Sequence, residues 1–125
     1  ALHDRIAAHA RVPLLRAAGA TDLVQLAGLL RRSALLVTND TGPMHLCAAV
    51  RTPILALFGS TDPDVCGPRG RGPVRVLYEK VACSPCYLRE CPVPGHPCLD
   101  RFEVARVEAI ALELLAAAPR RAPIA

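Results

Sequence analysis

Residues 34–58 read ALLVTNDTGPMHLCAAVRTPILALF, and this stretch decides the fold. Ala34 to Thr38 is short and almost wholly apolar, which predicts a buried strand covered on both faces. Asn39-Asp40-Thr41-Gly42-Pro43 interrupts that pattern, and Met44 to Val50 has room for a short helix with Leu46, Ala49 and Val50 facing inward. Pro43 suits the start of such a helix, because the N–H it lacks would have had no intrahelical partner. Thr52-Pro53 ends the helix, and Ile54 to Phe58 is a second buried strand. Strand, short helix, strand is a βαβ unit, whose handed crossover sets the two strands parallel in one sheet. The chain is therefore of the α/β class.

Outward from this unit the signals continue. Asp22 followed three residues later by Gln25 has capping-box spacing, and Leu23, Leu26, Ala27 and Leu30 recur at helical intervals to about Arg32. Further upstream, Leu2 to His9 reads as a helix and Val12 to Leu15 as a short strand broken by Pro13. Downstream, Gly59 to Gly72 is rich in Gly and Pro and reads as loop, and Val74 to Tyr78 as a third strand with alternating exposure. A cysteine- and proline-rich loop runs from Cys83 to Cys98. Asp100 then opens a last helix, over about 101–118, with Glu103 at capping-box spacing and Val104, Val107, Ile110, Ala111, Leu114 and Leu115 as its apolar stripe. Pro119 stops it, leaving a frayed tail.

With 125 residues, 52% of them hydrophobic and 21% charged, the chain fits one compact domain and is neither disordered nor collagen-like. No apolar run approaches the roughly 18 residues of a membrane-spanning helix. The net charge of +4 comes from 14 Arg and one Lys scattered along the chain. With no Trp and only Phe58, Phe102, Tyr78 and Tyr87 as aromatic residues, a nucleic-acid face is not expected. The chain starts at Ala1, and its one methionine is internal, at Met44, which suggests a fragment, a processed product or a trimmed piece of a longer chain.

The chemistry concentrates between the first strand and the next helix. In open α/β sheets, ligands bind at the carboxyl ends of the strands. A helix start there offers unpaired N–H groups and partial positive charge, Gly42 permits close approach to the backbone, and Thr41 adds a hydroxyl. A phosphate or pyrophosphate suits that place, with His45 able to donate to a phosphate oxygen as a leaving group departs. The same four residues, Asn39 to Gly42, also make ordinary turn and capping chemistry. Gly59-Ser60-Thr61-Asp62-Pro63 leaves the same edge after the next strand, so two polar loops converge on one crevice.

The run NDTGPMHLCAAVRTPILALFGSTDP, the later Gly67-Pro68, the Cys83-Ser84-Pro85-Cys86 loop and the final helix resemble the C-terminal half of glycosyltransferase family 9, the ADP-heptose:lipopolysaccharide heptosyltransferases. Their D-[TS]-G-x-x-H signature is present as Asp40, Thr41, Gly42 and His45, and the likeness covers about residues 19–117. The resemblance implies a GT-B architecture of two Rossmann-like domains, this chain being part of the C-terminal one, the donor half. It implies that Thr41, Gly42 and His45 contact phosphate oxygens, Asp40 lies near the heptose hydroxyls and Met44 sits by the nucleotide. It further implies inverting, metal-independent transfer from ADP-heptose to a lipid-linked lipopolysaccharide acceptor, on the cytoplasmic side of the inner membrane. No segment here resembles the acceptor domain that carries the general base. The opening strand of the donor domain and its phosphate-binding lysine have no counterpart either, since Lys80 lies far downstream. The chain alone is thus expected to be inactive and to self-associate through its open edge. Alternative readings are a GT-B protein using another nucleotide sugar, such as an epimerase, and a non-catalytic module that docks through its cysteine-rich loop.

Cys83, Cys86, Cys91 and Cys98 put four thiols within a short loop. Structural zinc, disulfides and free thiols are all compatible with that spacing. Cys47 and Cys66 stand apart, one on a helix face and one in a loop.

Overall fold

The computed structural model describes residues 2–118. The first helix, α1 (Leu2–His9), buries none of its side chains and is held to the following segment by an Arg16–Asp4 ion pair of 2.8 Å. Val12 to Leu15 forms no strand. Pro13 removes a ladder donor and no strand lies alongside, so Val12 and Leu15 remain exposed. Helix α2 (Leu23–Arg32) begins with the expected capping box: Gln25 N–H donates to the Asp22 carboxylate at 2.8 Å and Asp22 N–H to Gln25 Oε1 at 2.9 Å.

The sheet has the expected three strands, β1 (Leu36–Asn39), β2 (Ile54–Phe58) and β3 (Val74–Tyr78), all parallel in the order β1-β2-β3. Between β1 and β2 runs helix α3 (Gly42–Ala49). The twofold alternation of β2 builds two cores. Ile54, Ala56 and Phe58 face a cluster with Leu30 of α2 and Met44, Cys47 and Ala48 of α3. Leu55 faces the other way, onto Leu77 of β3 and Leu114 of the last helix, with Leu57 beside it. Buried Thr52 ties the first layer together, its hydroxyl donating to the Leu30 carbonyl at the end of α2 at 2.7 Å.

Several expectations are corrected. Strand β1 is not covered on both faces: it is an edge strand, and Val37 is 48% exposed. Helix α3 starts at Gly42 rather than Met44, so its buried stripe is Met44, Cys47 and Ala48, while Ala49 is exposed. The stretch 59–72 contains one helical turn, α4 (Pro63–Cys66), started by Asp62, whose carboxylate accepts Asp64 N–H at 2.9 Å. In β3 the pattern is not a clean alternation, since Arg75 and Val76 are both exposed at the sheet's other edge.

Asp100 does not open the last helix. It ends a separate turn, α5 (Pro97–Asp100), and α6 (Val104–Ala117) starts after Glu103, which makes no side-chain cap. Pro97 starts a helical turn early, and Phe102 packs into the second core between the two helices. Val107, Ile110 and Ala111 pack around Leu114 as expected, but Val104 and Leu115 point outward. The stop at Pro119 and the tail lie outside the described residues. No helix among the described residues is long and apolar enough to cross a membrane.

Candidate functional site

The loop from Asn39 to His45 leaves the carboxyl end of β1 and enters α3. Thr41 is the N-cap residue in extended conformation, yet its side chain caps nothing. An N-cap threonine ordinarily accepts from an N–H of the first turn. Here the hydroxyl is turned back, 3.2 Å from Thr38 Oγ1 and donating to Asn39 O at 3.4 Å. Met44 N–H is satisfied by Thr41 O at 3.0 Å, and Pro43 has no N–H. The Gly42 amide is left without a hydrogen-bond partner among the described residues, at the positive end of the helix.

Gly42 is open in a second sense. A Cβ built on it meets nothing within 4 Å, and its φ is not in the left-handed range. Neither packing nor backbone conformation in this chain requires a glycine there. Its smallness leaves the backbone accessible from outside.

His45 lies one turn into α3 with its imidazole 51% exposed, and its Nε2 stands 3.9 Å from Asp40 Oδ1. That is ion-pair range when the imidazole is protonated, and too long for a hydrogen bond. Asp40, Thr41, Gly42 and His45 are thus gathered at one accessible place. Met44 is the exception: its side chain is fully buried in the first core, 0% exposed, and offers no surface beside the other four. The helical period that brings His45 outward turns its neighbour in.

The second loop begins beside the first, because Asn39 and Leu57 are register partners on adjacent strands. Its glycine has the opposite character to Gly42. A Cβ on Gly59 would stand 2.9 Å from both Cys98 Sγ and Leu99 Cδ2, so a larger residue there makes the ends of those two side chains shift. Ser84, from the cysteine-rich loop, hydrogen-bonds the Gly59 carbonyl, and its Oγ is 3.2 Å from the Tyr78 hydroxyl. Sequence reasoning missed this tie, since a serine inside Cys83-Ser84-Pro85-Cys86 carries no signal of its partner.

Cys83, Cys86, Cys91 and Cys98 line one cavity of about 230 Å³ together with Gly59 and Leu99. All six cysteines are free thiols. Among the described residues, no group of three or more His, Cys, Asp or Glu side chains is placed to hold a metal ion. Burial pushes the Cys98 thiol above its ordinary value, and the neighbouring Cys83, Cys91 and Cys86 push the same way. Cys47 is fully buried in α3, its thiol directed at Thr52 O at 3.8 Å, and Cys66 sits on α4 against the first core.

The sequence profile described as glycosyltransferase family 9 (heptosyltransferase) matches residues 1–96. The chain belongs to this family. Its match begins upstream of residue 19, where the sequence resemblance begins, and leaves α6 outside. Among curated relatives, lipooligosaccharide heptosyltransferase 2 of Campylobacter jejuni is 33% identical over 81 residues, 65% of this chain and 25% of that protein. Lipopolysaccharide heptosyltransferase 1 of Pseudomonas aeruginosa is 39% identical over 69 residues, 55% of this chain and 19% of its own length. Lipopolysaccharide heptosyltransferase 2 of Escherichia coli K12 is 43% identical over 51 residues, 41% of this chain and 15% of its own. The chain therefore spans about a quarter or less of the length of these family 9 relatives. No solved structure matches. The α/β architecture, a parallel sheet with flanking helices, agrees with a Rossmann-like part of a GT-B glycosyltransferase.

Proposed function

We propose that this chain is the donor-binding part of a heptosyltransferase that transfers heptose from ADP-heptose to the inner core of lipopolysaccharide. The observation that carries the reading is the Gly42 amide, without a hydrogen-bond partner among the described residues, at an uncapped and exposed helix start where an added Cβ meets nothing within 4 Å. An anion is the ligand such a place favours, and a diphosphate is the anionic group of a nucleotide-sugar donor. On this reading a phosphate oxygen accepts from Gly42 N–H and from the Thr41 hydroxyl, which can release its bond to Asn39 O. His45 donates to the same group as the sugar–phosphate bond breaks and charge builds on the departing nucleotide. Asp40, within ion-pair distance of His45, keeps the imidazole oriented and faces the sugar hydroxyls. Met44 contributes only to packing. The acceptor site and the general base belong to regions of the enzyme outside this match, and the enzyme works at the cytoplasmic face of the inner membrane.

Isothermal titration of the chain with ADP, and with UDP as control, tests the reading. ADP binds saturably, and His45→Ala weakens it by about tenfold, the worth of a hydrogen bond to a charged group. Unchanged ADP affinity in both His45→Ala and Gly42→Val overturns the site. Tighter binding of UDP than of ADP overturns the donor and favours a different nucleotide sugar.

A further inference from the structure

We propose that Ser84 is a positioning residue: bridging Tyr78 and the Gly59 carbonyl, it turns the backbone amide of Ser60 into the donor crevice, where, beside the Thr61 amide, it binds a diphosphate oxygen. The inference rests on the donor reading above and adds a second wall to the same site. Ser84 is one of only two buried polar residues among those described, at 7% exposure. Its hydroxyl donates to Gly59 O and accepts from the Tyr78 hydroxyl, so a side chain at the end of β3 fixes a carbonyl at the end of β2. The next carbonyl is fixed as well, for Cys86 N–H and Tyr87 N–H both donate to Ser60 O, at 3.0 and 2.8 Å.

Three donors from the cysteine-rich loop thus draw two successive carbonyls to one side. In a trans peptide the C=O and N–H point in opposite directions. Gly59 O shares its peptide with Ser60 N–H, and Ser60 O shares the next with Thr61 N–H. Both N–H groups must turn away from the cysteine-rich loop, which follows β3. On the other side of β2 lies β1, with the Asp40–His45 loop at its end. Neither amide has a hydrogen-bond partner among the described residues. Two successive free amides in a turn form a concavity suited to an anion. Gly59, pressed against Cys98 and Leu99, prevents the turn from relaxing away.

Amide-resolved NMR of the chain during an ADP titration separates the two claims. In the wild type, the Gly42, Ser60 and Thr61 amide resonances all shift along one saturation curve. In Ser84→Ala the Gly42 shift persists, the Ser60 shift is lost, and the dissociation constant rises about fivefold, while Thr61, whose peptide Cys86 and Tyr87 hold, still responds. Should that variant not fold, Tyr78→Phe removes only the outer hydrogen bond, and there the Ser60 shift shrinks while Gly42 still responds. A silent Gly42 in the wild type overturns the donor reading itself. A responding Gly42 with silent Ser60 and Thr61 in the wild type, or an undiminished Ser60 response in both variants, overturns this inference alone.

Discussion

Gly42 and Gly59 stand in the loops that follow adjacent strands, for opposite reasons, and substitution separates them. A side chain at Gly42 enters open space. Gly42→Val is therefore expected to leave stability within about 0.5 kcal/mol of wild type while weakening ADP binding at least tenfold, read by thermal melting beside calorimetric titration. A side chain at Gly59 meets Cys98 and Leu99 at 2.9 Å. Gly59→Ala should cost about 1 kcal/mol of stability, because the ends of the Cys98 and Leu99 side chains must shift, and a melting temperature above the wild type's would contradict that. The Asp40-Thr41-Gly42-x-x-His45 pattern was legible in the sequence because residue type and spacing carry it. The burial of Met44 was not, since it depends on α3 starting at Gly42 and so on the phase of the whole helix.

At the scale of elements, the βαβ unit and the Asp22 capping box follow directly from short-range pattern, and both stand in the structure. What short-range pattern could not convey is what lies beside an element. Val12 to Leu15 had strand-like residues but no neighbour to pair with, and β1 had an apolar run but an open edge. The last helix shows the same limit: Asp100 and Glu103 have cap spacing, yet Pro97 claims Asp100 for an earlier turn. Contacts between elements also decide stability. Thr52→Val should cost about 0.5–1.5 kcal/mol, because it removes the buried hydrogen bond to the Leu30 carbonyl while leaving that carbonyl its bond from Ser33 N–H; denaturant unfolding measures it. In the cysteine-rich loop, Cys98 is buried with a raised thiol value and Cys83 is exposed. Alkylation followed by mass spectrometry is expected to modify Cys83 first and Cys98 last among the four cysteines of that loop. The linked stability has a definite sign. The fold favours the protonated Cys98 thiol, so its contribution is full below the ordinary thiol value of 9.0 and is lost as pH climbs through the higher folded-state value.

For the whole molecule, a three-stranded parallel sheet with two open edges is a small structure. Val37 on β1, and Val104, Leu112 and Leu115 on α6, leave apolar surface in water. Such edges and patches favour pairing with another chain. Sedimentation velocity over a concentration series should show self-association of the chain, and a strictly monomeric species at the highest concentration would contradict it. Within this frame the sheet delivers two loops from adjacent parallel strands to one edge, where the Gly42, Ser60 and Thr61 amides have no hydrogen-bond partner among the described residues. The most direct test of that arrangement is the ADP affinity of Gly42→Val against wild type, measured on chains shown by circular dichroism to be equally folded. The account predicts saturable binding to the wild type and at least a tenfold loss in the variant; equal affinity in the two would contradict it.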